Sequence, residues 1–358
     1  MRPTAIVDLT AEPLDLPLIE PFTIATGTQR AAHNVLVRLR FADGTAGLGE
    51  CAPFPAVSGE TQAGDLAAIA VARPVLLGRD ARSWRTIAAL LAEILPAAAS
   101  ARCGIEMALL DALSRHYSEP LCVFFGGHAA ALHTDITITA GDAAGAAKAA
   151  RAIAARGFGA IKVKVGALSP DEDAERIALI HREAPTARLL ADANGGYDAG
   201  RALQLLRALA AASIRLELFE QPVPREDHDG MVEVARRSTV PICADESARS
   251  AADVIALGRS GAARVINIKL MKSGIAEALA MWSVARAAGL QTMIGGMVES
   301  VLAMTCSAHF AAGLGGFDYV DLDTPMWIAR HPFTGGFTQE GDRLDIRDVG
   351  SGHGVMLT

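Results

Sequence analysis

From Leu132 onward, short runs rich in β-branched and apolar residues alternate with Ala- and Leu-rich stretches of helical period, the pattern of βα units feeding a parallel sheet. The runs are HTDITIT, AIKVKV, RLLADA, RLELFE, PICADE, RVINIKL, QTMIGG and FDYVDLD, eight candidate strands. A repeat of roughly 24 residues leaves room for one strand, one helix and two short loops, and the count matches a closed eight-stranded barrel. The last run ends at Asp323 and is followed by Pro325 and a Gly-rich tail in place of an eighth helix. The pattern therefore predicts an α/β fold, a (β/α)7β TIM-type barrel.

The first 125 residues read differently. AHNVLVRLRFADGTAGLGECAP carries a hairpin signal around Asp43-Gly44, and SARCGIEMALLDALSRHY predicts an amphipathic helix, so an N-terminal α+β domain precedes the barrel. The expected division is 1–125 for that domain, 126–324 for the barrel, and 325–358 for a C-terminal segment without a core of its own that packs back on the first domain. GGFTQEGDRLDI is a possible hairpin within it, and 92–100 and 142–155 are Ala-rich helix candidates.

Composition narrows the partners. The 358 residues are 51% hydrophobic and 20% charged with a net charge of -7, an ordinary globular balance that contains no basic run of nucleic-acid type. Acids and prolines interrupt the start where a signal peptide needs an apolar stretch, and no window reaches the ~18 apolar residues of a membrane span. A cytoplasmic protein with a small-molecule partner is expected, with no nucleic acid and no membrane. Five scattered cysteines without a CxxC pair predict buried thiols rather than disulfides or a zinc cluster.

The charged residues at the ends of the runs carry the chemistry. Lys164, Asp192, Glu220, Asp245 and Lys269 follow one another at intervals of 28, 28, 25 and 24 residues, one per structural unit. In a barrel the C-terminal strand ends form the active site. Three carboxylates converging there would repel one another unless a cation were bound, and an all-oxygen set suits Mg²⁺. The plainer alternative, three acids capping separate helices, explains any one of them but not three on consecutive strands. Lys164 and Lys269 fall on the second and sixth strands, diametrically opposed, as two bases on the two faces of one carbon require. One amine must be neutral for that step, and Lys162 together with the divalent ion would lower the pKa of Lys164. Metal coordination of a substrate carboxylate would stabilise the enediolate left by proton loss. At the end of the seventh run, Gly296 permits close substrate approach, Met297 could line the pocket, and Glu299 is either a polar contact or an ordinary helix-start acid.

KVK, DAN, EQP, ADES and INIKLMKSG together resemble the signature of the enolase superfamily, muconate-lactonising subgroup; GECAP at 49–53 and IEMALLDAL at 105–113 resemble that subgroup's capping domain and the helix entering its barrel. The resemblance covers the whole chain. It implies Lys164 and Lys269 as the acid/base pair, Lys162 as an assisting cation, one Mg²⁺ per subunit on Asp192, Glu220 and Asp245, Asn194 and Glu246 supporting the metal, and a homo-oligomer. In the last strand, Asp321-x-Asp323 resembles the motif by which dipeptide epimerases hold the substrate's α-ammonium group, which also suits two carboxylates on one strand face. Members acting on Ala-Glu carry an arginine in the capping loop; PFTIATGT places Gly27 in that slot. Gly27, with Ile24, Thr26, Phe54 and Val57, fits an uncharged side chain better, although Arg30 lies three residues on.

The expected activity is Mg²⁺-dependent epimerisation of dipeptides of the L-Ala-L/D-Xaa type at the C-terminal residue, not specific for Ala-Glu. The rivals are N-acylamino acid racemisation, a cycloisomerase or o-succinylbenzoate synthase-like reaction, a Schiff-base aldolase on Lys269, and a barrel that binds ligand without turnover.

Overall fold

The computed structural model describes residues 2–330 and 332–358. Its N-terminal part is a three-stranded antiparallel meander, β1 (Ile6–Ile24), β2 (Gly27–Phe41) and β3 (Ala46–Cys51). The alternation in NVLVRLRF turns one face of β2 to the core and the other to solvent. The β2–β3 turn falls where Asp43-Gly44 places it, with Gly44 at φ 92° and the Asp43 carboxylate accepting from the Thr45 N–H at 2.9 Å. The distal end of β1 and β2 is a hairpin closed by the Ile24–Gly27 pair, so the segment expected as a capping loop is the tip of a long ribbon.

Three helices, α1 (Gln62–Leu76), α2 (Trp84–Ile94) and α3 (Ala99–His116), cover this sheet. The Ala-rich stretch 92–100 is not one helix: α2 stops at Ile94 and α3 starts at Ala99, with Pro96 between them unable to donate a helical hydrogen bond. Nor is α3 amphipathic, since 14 of its 18 residues are buried. Its polar residues are instead paired inside: Asp111 accepts from the N–H groups of Leu48 and His353 at 3.0 Å each, and Glu106 from that of Ala276 at 2.9 Å. The sheet approaches α3 so closely that a Cβ at Gly49 would lie 2.0 Å from the Gly104 carbonyl oxygen, which is why glycine stands in GECAP.

Eight parallel strands follow in sequence order, β4 (Ile136–Ile138), β5 (Ala160–Lys164), β6 (Arg188–Asp192), β7 (Leu218–Glu220), β8 (Ile242–Ala244), β9 (Val265–Lys269), β10 (Gln291–Gly295) and β11 (Tyr319–Val320), one inside each predicted run. Six of the connecting helices begin at side-chain caps, with Asp142, Ser169, Asp198, Asp227, Ser250 and Ser300 each accepting a first-turn N–H. After β11 comes only a 3-10 turn, Thr324–Trp327, as the missing eighth helix predicts.

Among the described residues no backbone ladder joins β4 to β11. The seam is spanned by Asp135 N–H to Val320 O at 2.9 Å, by Leu322 N–H to Thr134 Oγ1 at 2.8 Å, and by Thr137 N–H to the Asp323 carboxylate at 2.7 Å. Inside the barrel, Ala160, Leu190, Leu218, Cys243, Val265 and Met293 form an apolar layer. The strand ends above it carry the charges.

In the C-terminal segment, Thr338–Glu340 and Arg343–Asp345 form the anticipated hairpin, whose second strand pairs with Ala131–His133. Leu18 bridges to Ile328, and Arg115 donates to the Val355 carbonyl at 3.0 Å. All five cysteines are free and buried. Among the described residues no helix is long and apolar enough to cross a membrane.

Candidate active site

Parallel strands in register bring the predicted residues to one mouth of the barrel. Lys164 lies opposite Asp192 across β5–β6, and Asp192 opposite Glu220 across β6–β7. Lys162 and Lys164 are two residues apart on β5 and share its inward face; Asn267 and Lys269 do the same on β9. All are buried, Lys162 to 1% and Lys164 and Lys269 to 6% residual exposure.

Every one of these amines rests on a carboxylate. Lys164 Nζ lies 2.5 Å from Asp192 Oδ2, and Lys269 Nζ lies 2.7 Å from Asp245 Oδ2. Lys162 Nζ is shared among Glu220 and Asp321 at 2.7 Å each and Asp192 at 3.5 Å. Burial works against the Lys162 ammonium, but Asp321, Glu220 and Asp192 outweigh it and raise its pKa, so Lys162 stays charged. Its first duty is thus to be a common counter-ion for three acids, a tie that the expected tuning of Lys164 did not include. Asp245 likewise overcomes burial and holds Lys269 above the ordinary lysine range.

The three carboxylates expected as metal ligands converge as expected, with exposures of 0, 1 and 0% for Asp192, Glu220 and Asp245. Among the described residues no three acids, histidines or cysteines stand assembled as a metal cage, because the oxygens are turned onto lysine amines. The donor set nonetheless suits a hard divalent cation. Glu220 Oε2 and Asp245 Oδ2 are buried without a hydrogen bond, each touched only by an ammonium. Asn194 donates to Glu246 Oε1 at 3.1 Å and reaches Asp192 Oδ2 at 3.4 Å, and burial with Asp245 and Asp192 nearby pushes Glu246 up to about 7.

Two residues that sequence reasoning passed over complete this network. Lys272 spends its donors on Asp245 Oδ1 and the Asp245 carbonyl, at 2.5 Å each, and on the Asn267 carbonyl at 2.9 Å. Asn267 donates to Glu220 Oε1 at 2.6 Å. The signal for Asn267 was its place two residues before Lys269 in INIK; Lys272 announced itself only as a second lysine in KLMKSG.

A small cavity of about 30 Å³ lies between the lysines, lined by Lys164, Lys269, Asn194, Thr137, Asp321 and Asp323 below and by Phe22, Ile24, Phe54, Val57, Met297 and Val298 above. Gly296 also borders it, and a Cβ there would collide with the Met304 side chain at 2.0 Å. Asp321 and Asp323 do not owe their common direction to a strand, since β11 ends at Val320 and Asp323 has helical φ −86° and ψ −13°. They converge because the chain bends into the 3-10 turn. Lys162 holds Asp321 low against burial, whereas burial and Asp321 push Asp323 up to about 6. Trp327 Nε1 donates to Asp323 at 3.4 Å, and the Trp327 ring meets Phe22 edge-on with centroids 5.2 Å apart.

Thr26 lines an outer space of about 430 Å³ with Val57, Asn194, Glu246 and Arg225, between the cap and the barrel rim. Gly27 lines neither space; it closes the hairpin opposite Ile24, with Ala56 Cβ 3.3 Å from where its own Cβ would be. The hairpin tip is pressed onto the barrel so that a Cβ at Gly196 would lie 2.8 Å from Ala25 Cβ, and Arg249 ties down the Val57 carbonyl at 2.7 Å. A site for a small organic molecule is typically some hundreds of Å³, the size of the outer space rather than of the inner cavity. Glu299 is not a helix cap, a role held by Ser300. It is buried, accepts from the Met297 N–H at 2.7 Å, and is pushed up to about 8 by burial and Glu50.

Lysines opposed across a barrel mouth, with an acid trio beneath and an antiparallel cap above, match a known plan in both halves of the chain. Residues 6–126 match the mandelate racemase/muconate lactonizing enzyme N-terminal domain, and residues 144–358 match the enolase C-terminal domain-like family. The chain belongs to the mandelate racemase/muconate lactonizing group of the enolase superfamily. The curated aromatic dipeptide epimerase of Herpetosiphon aurantiacus is 58% identical over 355 residues, 99% of each chain. The dipeptide epimerase of Enterococcus faecalis V583, solved with Mg and the dipeptide L-Leu-L-Tyr, superposes at a TM-score of 0.94 with 32% identity, covering 98% of this chain and 99% of that one. The muconate lactonizing enzyme of Pseudomonas fluorescens, solved with muconolactone, also gives 0.94, at 30% identity and 100% and 98% coverage. Within the superfamily, then, the backbone does not choose the reaction, and the site must.

Proposed function

We propose that this protein is a Mg²⁺-dependent epimerase of dipeptides, inverting the α-carbon of the C-terminal residue and favouring an apolar or aromatic side chain there. The observation that carries this reading is the pairing of two features in one cavity: amines on opposed strands, Lys164 and Lys269, and two carboxylates at one end, Asp321 and Asp323. The amines serve the two faces of a carbon, and the carboxylates suit a free ammonium group.

Asp192, Glu220 and Asp245 would hold the ion, with Asn194, Asn267 and Lys272 fixing their side chains. A divalent ion bound there supplies positive charge to the substrate carboxylate and competes with the two lysines for Asp192 and Asp245. The chain's own residues do the rest. One lysine, neutral, takes the α-proton; the other, charged, returns a proton to the opposite face. Phe22, Ile24, Phe54, Val57, Met297 and Val298 roof the cavity with apolar surface, which suits an apolar side chain on the second residue. Five buried free cysteines agree with a reducing, cytoplasmic setting.

The deciding measurement is exchange of the second residue's α-proton with D₂O across a library of L-Ala-L-Xaa dipeptides with Mg²⁺. Exchange fastest for apolar and aromatic Xaa is expected, and loss of exchange on adding EDTA. No exchange with any dipeptide would overturn the reading. Racemisation of N-acylamino acids is disfavoured by Asp321 and Asp323, which would face a substrate without a cation.

A further inference from the structure

The apolar layer at the base of the barrel has one exception. Thr137 pairs with Lys162 across β4–β5, so Asp135, two residues earlier, lies on the same inward side at the level of Ala160. It borders a basal space of about 270 Å³ at the strand starts with Ala160, Leu190, Tyr319 and Val320. The side chain is buried at 3% exposure, and neither carboxyl oxygen receives a hydrogen bond from any N–H or neutral O–H of the described residues. The Asp135 N–H donates to Val320 O at 2.9 Å, which sets it beside Asp321; the charged groups acting on it are Asp321, Lys162 and Asp323, while His133, Arg188 and Asp318 line the basal space. Asp321 is already bound to Lys162 at 2.7 Å, and Asp135 can hydrogen-bond to Asp321 only if one of the two carries a proton.

A carboxylate in an apolar layer without a donor is strongly disfavoured, whereas a neutral carboxyl group beside an ionised one is satisfied. We infer that Asp135 is a positioning residue for the ammonium site: as the neutral acid it donates its proton to Asp321 and, with Lys162 on the other oxygen side, fixes that carboxylate toward the cavity. The proton is not transferred during turnover. It is held, and the residue acts through Asp321 without touching substrate. Burial and Asp321 both raise Asp135 well above the ordinary carboxyl range, in the sense the geometry requires.

Two arms test this. The first needs no substrate: the infrared difference between wild type and Asp135→Asn at about pH 8 should show a protonated-carboxyl stretch present only in wild type, and its absence would overturn the inference. The second rests on the dipeptide reading and uses two replacements with matched thermal unfolding. Asparagine, neutral and still a donor, is expected to keep KM within about threefold; leucine, without a donor, is expected to raise KM for a dipeptide about tenfold with kcat little changed. Equal damage from both replacements, or none from leucine, would overturn it. Should no dipeptide react at all, the functional reading fails and the infrared arm still decides the protonation of Asp135.

Discussion

The floor and the roof of the cavity are made of opposite materials. The floor is barrel strand, with four lysines tied into a fixed lattice of acids, each bond holding the next in place. The roof is a hairpin tip, a one-turn helix beginning at Pro55 and the β10 loop, and it presents Phe22, Ile24, Phe54, Val57 and Met297 with no charge among them. Strands braced on both sides can hold a proton donor to a fraction of an ångström; a ribbon tip resting on Gly196 can be lifted. On the proposed function, reaction belongs to the floor and choice of side chain to the roof.

Floor and roof variants should therefore fail in different ways. The largest effect is expected for Lys164→Ala and Lys269→Ala, each lowering the epimerisation rate by at least about a thousandfold for every dipeptide alike, as loss of a positioned acid/base group does. Full progress curves from both epimers check this, and a variant that retains activity toward some side chains only would place the lysine in the wrong half of the comparison. A smaller and selective effect belongs to Phe54→Ala: kcat/KM for aromatic second residues should fall about 10- to 100-fold while L-Ala-L-Ala changes little, the range that apolar pocket contacts supply. A uniform loss would erase the distinction between the two halves.

The last effect concerns stability, not rate. Glu299, beneath Gly296 at the join of floor and roof, is raised from its ordinary 4.5 to about 8. Between those values the folded state holds a proton that the unfolded chain releases, so the contribution of Glu299 to stability falls as pH rises and is gone above about 8. Glu299→Gln should flatten that slope in urea titrations at about pH 6 and about pH 8. Parallel slopes for wild type and variant would show that Glu299 titrates normally.

Much of the floor was legible because strand ends announce themselves. A charge closing an apolar run, as in LLADAN or PICADES, is an unusual place for an acid, and five such residues at βα spacing point to one mouth. What remained hidden were residues whose role depends on three dimensions. Thr137 looks like any β-branched strand residue, and Asp135 in HTDITIT looks like a strand-start acid. Lys272 lies past its strand, so periodicity says nothing about where it turns. The helix α3 misled because burial on all sides leaves polar residues such as Glu106 and Asp111 in the same places that a solvated face would. Asp321 and Asp323 were singled out on a strand geometry that the chain does not adopt there, since spacing cannot show that β11 ends at Val320. The roof was least legible: Gly27, an absent side chain, could be assigned to the pocket as easily as to the hairpin closure it actually makes.

The unladdered seam between β4 and β11 makes the barrel a hoop with a clasp. Elsewhere the hoop is held by backbone and tolerates any side chain that fits; at the clasp, the Asp323 carboxylate stands in for a missing strand partner by binding the Thr137 amide. The same carboxylate borders the place proposed for the substrate's amine, so a bound dipeptide would fasten across a joint that no strand ladder closes among the described residues. Sequence change at this joint can alter what the hoop accepts without cutting a single ladder, which makes the eighth strand a natural place for one scaffold to exchange one substrate for another.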